Sequence, residues 1–148
     1  MSTTDVDIIV SEIDIAASPE IVFGFLVDAD KLSQWLCETA TTDPRPGGVN
    51  RQIHRNGDRT FTMDGEFVDV VPFERVSFSW GYTEPDMMPR PRSTMVEITL
   101  EPTEQGTHVR LEHRGLSGSA LNDHRGGWSE LFGKRLPAAV ARSMESGA

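Results

Sequence analysis

Aromatic, methionine and histidine side chains are the residues of this 148-residue chain whose types could build a site. Trp35, Phe61, Met63, Phe78, Trp80, Trp128 and Phe132, with Ile98, form an apolar set. Such a set either fills a core or lines a pocket for a hydrophobic molecule. Trp35 and Trp80 stand near the ends of their elements, which favours the pocket for those two. His113 follows Val109 and Leu111 in the apolar phase of a strand. A buried imidazole needs a partner: a neighbouring side chain on the structural reading, a polar group of a ligand on the functional one. Arg51 shares a phase with Val49 and Ile53, where it could meet a carboxylate, or else it is a solvated strand arginine. Gln52 and His54 occupy the other face, so the register decides.

Other chemistries lack their signatures. His54, His108, His113 and His124 show no ligand spacing, so no metal is expected. Cys37 has no basic neighbour to activate it and reads as a small buried hydrophobe. No G-x-S-x-G stretch presents a nucleophile, and Pro46-Gly47-Gly48 lacks the lysine and following helix of a phosphate loop. No catalytic residue is assigned and no cofactor is expected. Residues Thr83 to Arg92 hold three prolines and two methionines, so they form an irregular loop. With Met87 and Met88 as adaptable contacts and Arg90 and Arg92 at a rim, that loop is either a lid or a plain connector.

These side chains must be positioned by strands and one long helix. From Ser119 to Arg142, the residues Leu121, Trp128, Leu131, Phe132, Leu136, Ala139 and Val140 recur at three- and four-residue steps on one helical face. Pro137 cannot donate to the carbonyl of Gly133, so a kink or break is expected there. At the other end, Ile9, Ser11, Ile13 and Ile15 alternate with Glu12 and Asp14 as a half-buried strand. Ser18-Pro19-Glu20 then opens a helix with Ile21, Val22, Phe25 and Leu26 inward, and Asp30 can cap a second short one.

Strands are expected at 39–43, 49–55 and 59–71, the last two joined by an Asn56-Gly57-Asp58 hairpin. Alternation slips near Gly65, which implies a bulge followed by Val68 and Val70 inward. Val76, Phe78 and Trp80, then Thr94 to Leu100, then Thr107 to His113, complete the set. Consecutive strands with short turns imply an antiparallel meander that curls around the closing helix and leaves a cavity beside it.

The totals fit one domain. Net charge is −9 and the basic residues are scattered, which argues against nucleic acid and against an anionic membrane surface. Met1 to Asp7 lacks a signal pattern, no apolar run is long enough to span a membrane, and a lone cysteine suits a reducing compartment. A cytoplasmic location is the expectation.

Several motifs resemble the SRPBCC superfamily (START and birch-pollen-allergen-like proteins), and more narrowly its branch related to the activator of the Hsp90 ATPase. They are the opening IDIAASPEIVFGFLVDADKLSQWL with Trp35, the run Pro72-Phe73-Glu74-Arg75-Val76-Ser77-Phe78-Ser79-Trp80, Gly65, Gly106-Thr107 and Gly127-Trp128. Pro46-Gly47-Gly48 approximates the family's turn before the third strand. The resemblance implies an α+β helix-grip fold: a curved antiparallel sheet of about six to seven strands around a long C-terminal helix, with two short helices after the first strand. It also implies a cavity for an apolar or amphipathic small molecule.

Three functions stay open at this point: binding of a hydrophobic small molecule, an enzyme such as a cyclase or hydrolase using the same cavity, and a co-chaperone-like protein-binding module with a chaperone partner. A homodimer through an edge strand is also compatible with the sequence.

Overall fold

A computed structural model describes residues 8–146. Strand β1 (Ile8–Ile15) is followed by helices α1 (Pro19–Val27) and α2 (Ala29–Leu32). Six strands come next: β2 (Thr39–Thr42), β3 (Val49–Asn56), β4 (Arg59–Val71), β5 (Arg75–Trp80), β6 (Thr94–Thr103) and β7 (Gly106–Arg114). Helix α3 (Gly118–Glu130), a π turn (Leu131–Arg135) and helix α4 (Leu136–Ser146) close the chain. The seven strands make one antiparallel sheet in the order β1-β7-β6-β5-β4-β3-β2. The meander runs from β2 to β7, and β1 returns to pair with β7. This is the expected α+β helix-grip architecture. No helix among the described residues is long and apolar enough to cross a membrane.

Local chemistry explains most boundaries. Ser18 caps α1, its Oγ accepting from the Ile21 N–H at 3.4 Å, with Pro19 at the first helical position. Asp28, not Asp30, caps α2 by accepting from the Lys31 N–H at 3.1 Å. Asp30 lies inside that turn, and its carbonyl accepts from Ser33 Oγ. Ile21 is more exposed than its spacing suggests, and Phe23 is buried in its place against the edge of Phe73.

The bulge falls three residues beyond Gly65. Register shifts between Phe67 and Asp69, so Val68 is the extra residue. Phe67, opposite Phe78, is therefore the buried position and Val68 faces solvent, the reverse of the expected inward Val68. Gly65 answers a different need. A Cβ there would lie 2.1 Å from the Ser79 carbonyl oxygen. The neighbouring strand packs too close for any side chain, and Ser79 Oγ accepts from the Glu66 N–H at 3.0 Å.

The closing helix stays continuous through Pro137. Instead of a break, the chain widens into a π turn in which the Leu136 N–H reaches the Leu131 carbonyl. Widening the turn ahead of Pro137 makes room for a pyrrolidine ring that would collide with the carbonyl four residues back in a strict α-helix. Trp128, Phe132, Leu136, Ala139 and Val140 are buried beneath this helix.

A cleft between the sheet and the closing helix

A cleft of about 810 Å³ lies between the β3–β5 end of the sheet and the first half of the closing helix. Its inner wall is aromatic: Phe61 from β4, Trp80 from β5, Tyr82 just beyond it, and Trp128 from α3. Leu36 and Cys37 follow α2, while Met87 and Met88 come from the 83–93 loop. The rings interlock, with Trp80 and Trp128 centroids 5.2 Å apart and Phe61 edge-on to Tyr82 at 5.4 Å. On the helix side Gly127 lines the cleft, and a Cβ added there would meet nothing within 4 Å. The Gly-Trp pair thus sets an open position beside a bulky one on the same helical turn.

The wall's polar atoms form two hydrogen-bonded chains. In the first, Trp80 Nε1 donates to Tyr82 Oη at 3.0 Å, and Tyr82 Oη donates to His124 Nε2 at 2.7 Å. His124 Nδ1 in turn donates to the Ala120 carbonyl at 2.7 Å. In the second, Trp128 Nε1 donates to His113 Nδ1 at 3.0 Å, and His113 Nε2 donates to Thr94 Oγ1 at 2.9 Å. Thr94 Oγ1 then donates to the Trp80 carbonyl at 2.8 Å. Each imidazole has one nitrogen accepting and one donating, which is the neutral form.

Burial agrees with those tautomers. Desolvation pushes His113 down to about 3 and His54 down to about 4, and it lowers His124 too. It also raises the Tyr82 phenol to about 12 and the Cys37 thiol to about 12. At neutral pH the wall therefore presents neutral hydrogen-bonding groups, and Cys37 is held as an unreactive thiol.

Of the residues singled out in the sequence, Phe61, Trp80, Trp128, Met87 and Met88 lie on the cleft. Trp35, Met63, Phe78, Ile98, His113 and Phe132 pack in the core behind it. Trp35 donates through Nε1 to the Phe25 carbonyl at 2.8 Å, bracing α1. His113 sits behind the Trp80–Trp128 pair and finds its partners in the protein.

Arg90 folds inward to the loop's own carbonyls, those of Glu84, Met87 and Thr83, and leaves the rim. Arg92 turns away to Asp64 and Glu66 on the sheet. Arg51 points outward, 3.9 Å from Asp64 Oδ1, and the inward residues of β3 are Asn50, Gln52 and His54. Of the two readings of Arg51, the solvated strand arginine is the one the structure shows. Asn56 pairs with Arg59 across the two-residue hairpin, which places His54 opposite the inward-facing Phe61.

Sequence reasoning passed over three lining residues whose signals were present. That hairpin register identifies His54. Tyr82 continues the Val76, Phe78, Trp80 alternation. His124 falls on the Leu121, Trp128, Leu131 helical stripe. Among the described residues no group of three or more His, Cys, Asp or Glu is arranged to hold a metal ion.

An open-ended cleft between a seven-stranded antiparallel sheet and a C-terminal helix defines a helix-grip domain of the SRPBCC type. The family model described as Activator of Hsp90 ATPase homolog 1-like protein matches residues 16–141, and the chain belongs to that family. Solved structures share the fold. Protein MLL2253 from Mesorhizobium loti is 26% identical at a TM-score of 0.79, with 91% of this chain and 97% of that one aligned. Protein CV1439 from Chromobacterium violaceum is 22% identical at 0.76, with 90% and 97% aligned. DynU16, from the dynemicin biosynthetic locus, is 22% identical at 0.73, with 95% of this chain and 48% of that one aligned. No curated protein matches the sequence.

Proposed function

We propose that this protein binds a hydrophobic or amphipathic small molecule in the cleft between the curved sheet and the closing helix. The observation that carries the reading is a cleft of about 810 Å³ walled by Phe61, Trp80, Tyr82 and Trp128. That volume is within the range of small-molecule sites, and aromatic walls with a few fixed polar groups are their usual lining. Gly127 supplies the test. Because a side chain there enters open space, Gly127→Leu should block the cleft while leaving the helix as stable or more so. Naphthalene titrated into the wild type is expected to quench Trp80 and Trp128 emission saturably, and Gly127→Leu to abolish that response with an unchanged or higher melting temperature. Equal quenching in both proteins would defeat the proposal.

The 83–93 loop forms the outer wall and is the proposed lid. It is latched to β4 by Asp86, whose carboxylate accepts from Arg59 Nη2 at 2.7 Å and from Nη1 at 3.0 Å. Glu84 adds a second tie by accepting from the Thr62 N–H. Trypsin cleavage after Arg92 should quicken in Asp86→Ala and slow when naphthalene is bound. A cleavage rate indifferent to naphthalene would reduce the loop to a fixed wall.

A further inference from the structure

We infer that His54 is the specificity-determining residue of the cleft, its Nδ1 accepting a hydrogen bond from a hydroxyl group on a neutral, apolar ligand. The inference rests on the proposed binding function and adds the chemical class. Asn50, Gln52 and His54 occupy alternate positions on the inner face of β3, and all three are buried. Gln52 Nε2 donates to Asn50 Oδ1 at 3.1 Å, and His54 Nε2 donates to Gln52 Oε1 at 2.9 Å. That second bond puts the ring proton on Nε2 and leaves a lone pair on Nδ1.

Among the described residues His54 Nδ1 has no hydrogen-bond partner, yet it is not one of the sealed side-chain atoms left without a hydrogen bond, which are Asn50 Nδ2 and Asp64 Oδ1. It therefore opens onto the cleft that His54 lines. Every other N–H or O–H donor in the aromatic wall is already spent, in the two chains through Tyr82 and His113. The ring is held in place by Phe61, stacked at 5.4 Å and 13°, and by the edge of Trp80 at 5.6 Å.

Three polar side chains on the inner face of a strand cost stability that valine or isoleucine would not, and one amide is left unpaired at the far end. A hydrogen bond delivered to the cleft accounts for them. Charge selects further. Arg55 and Arg59 at the mouth are engaged by Glu38 and Asp86, and the remaining lining guanidinium, Arg135, is offset in charge by the lining carboxylate Asp123, so the cleft offers an anionic head group beside the neutral His54 no net positive charge in return for its desolvation.

The test uses four probes of one size: naphthalene, 2-naphthol, 2-methoxynaphthalene and 2-naphthoate. In the wild type, 2-naphthol should bind about tenfold tighter than its methyl ether, one hydrogen bond's worth, and 2-naphthoate weakest. His54→Phe should erase the preference for 2-naphthol over its methyl ether, whatever the change in overall affinity. An undiminished preference in His54→Phe overturns the assignment of His54 while the cleft reading stands. Turning both amides over would present Nδ1–H instead, so a His54-dependent preference for the ether overturns the acceptor role. Failure of every probe to bind removes the cleft reading and this inference together. If His54→Phe does not fold, the Nδ1 nitrogen resonance of wild-type His54 decides: it should shift on adding 2-naphthol but not naphthalene, and an unmoved resonance overturns the inference.

Discussion

His113 shows how one buried side chain can look functional and yet serve the frame. Its two nitrogens tie Trp128 on the closing helix to Thr94 on β6, and Thr94 reaches on to the backbone of Trp80. The two tryptophans of the cleft wall are thereby fixed by one imidazole that never touches the cleft. Replacing it with phenylalanine keeps most of the volume but strands the buried Trp128 N–H, at about 1–3 kcal/mol. We expect His113→Phe to lower the urea midpoint accordingly, while Trp128→Phe in the same chain adds less than it does alone. A double-mutant cycle measures that coupling, expected to exceed about 1 kcal/mol in size. Additive effects would mean the Trp128–His113 bond contributes nothing.

At the scale of elements, close approach between strands is the constraint with the least room to relax. Gly65 on β4 lies against backbone of β5, so the 2.1 Å contact a Cβ would make cannot be relieved by rotating a side chain. Gly65→Ala should therefore cost about 2–4 kcal/mol or prevent folding, read as a loss of melting temperature, whereas Gly127→Ala should be neutral or stabilising. If the two alanines behaved alike, the close approach would not be the reason for Gly65.

The strand and helix order was legible because period-two and 3.6-residue patterns are long here and the turns carry Gly, Pro and Asn. The bulge was misplaced because Phe67, Val68 and Val70 are all apolar: hydrophobicity cannot tell which of three such neighbours is the extra residue. The turn widened ahead of Pro137 was out of reach for a similar reason, since the proline forbids a strict α turn without specifying the alternative. The polar face of β3 was missed through its composition. Asn50, Gln52 and His54 look solvated beside Val49 and Ile53, and only the hairpin register linking His54 to Phe61 turns them inward.

Taken as a whole, the molecule separates two kinds of histidine, and its acid stability should follow. Inside, His54 and His113 are held near 4 and 3, far below the value near 6.5 of an unfolded chain. Below about pH 6.5 the unfolded state takes up protons that the folded state refuses, so stability falls as pH falls. Each group gives a slope that approaches about 1.4 kcal/mol per pH unit, which integrates to roughly 3 kcal/mol for the pair between pH 6.5 and 5. His124, also lowered by burial, adds in the same direction.

On the outer face of the sheet His108 bonds to Glu12 and Asp14, which raise its pKa. Its contribution has the opposite sign, full below the unfolded value and lost as pH rises through the folded one. Being exposed, it is the smaller effect. Urea unfolding at intervals from pH 7.5 to 5 should thus show the unfolding free energy dropping steadily below 6.5. The slope should be shallower in His113→Phe, which no longer carries one of the refused protons. A flat profile across that window would mean that the inner imidazoles titrate normally, and the neutral hydrogen-bonded wall built on them would have to be abandoned.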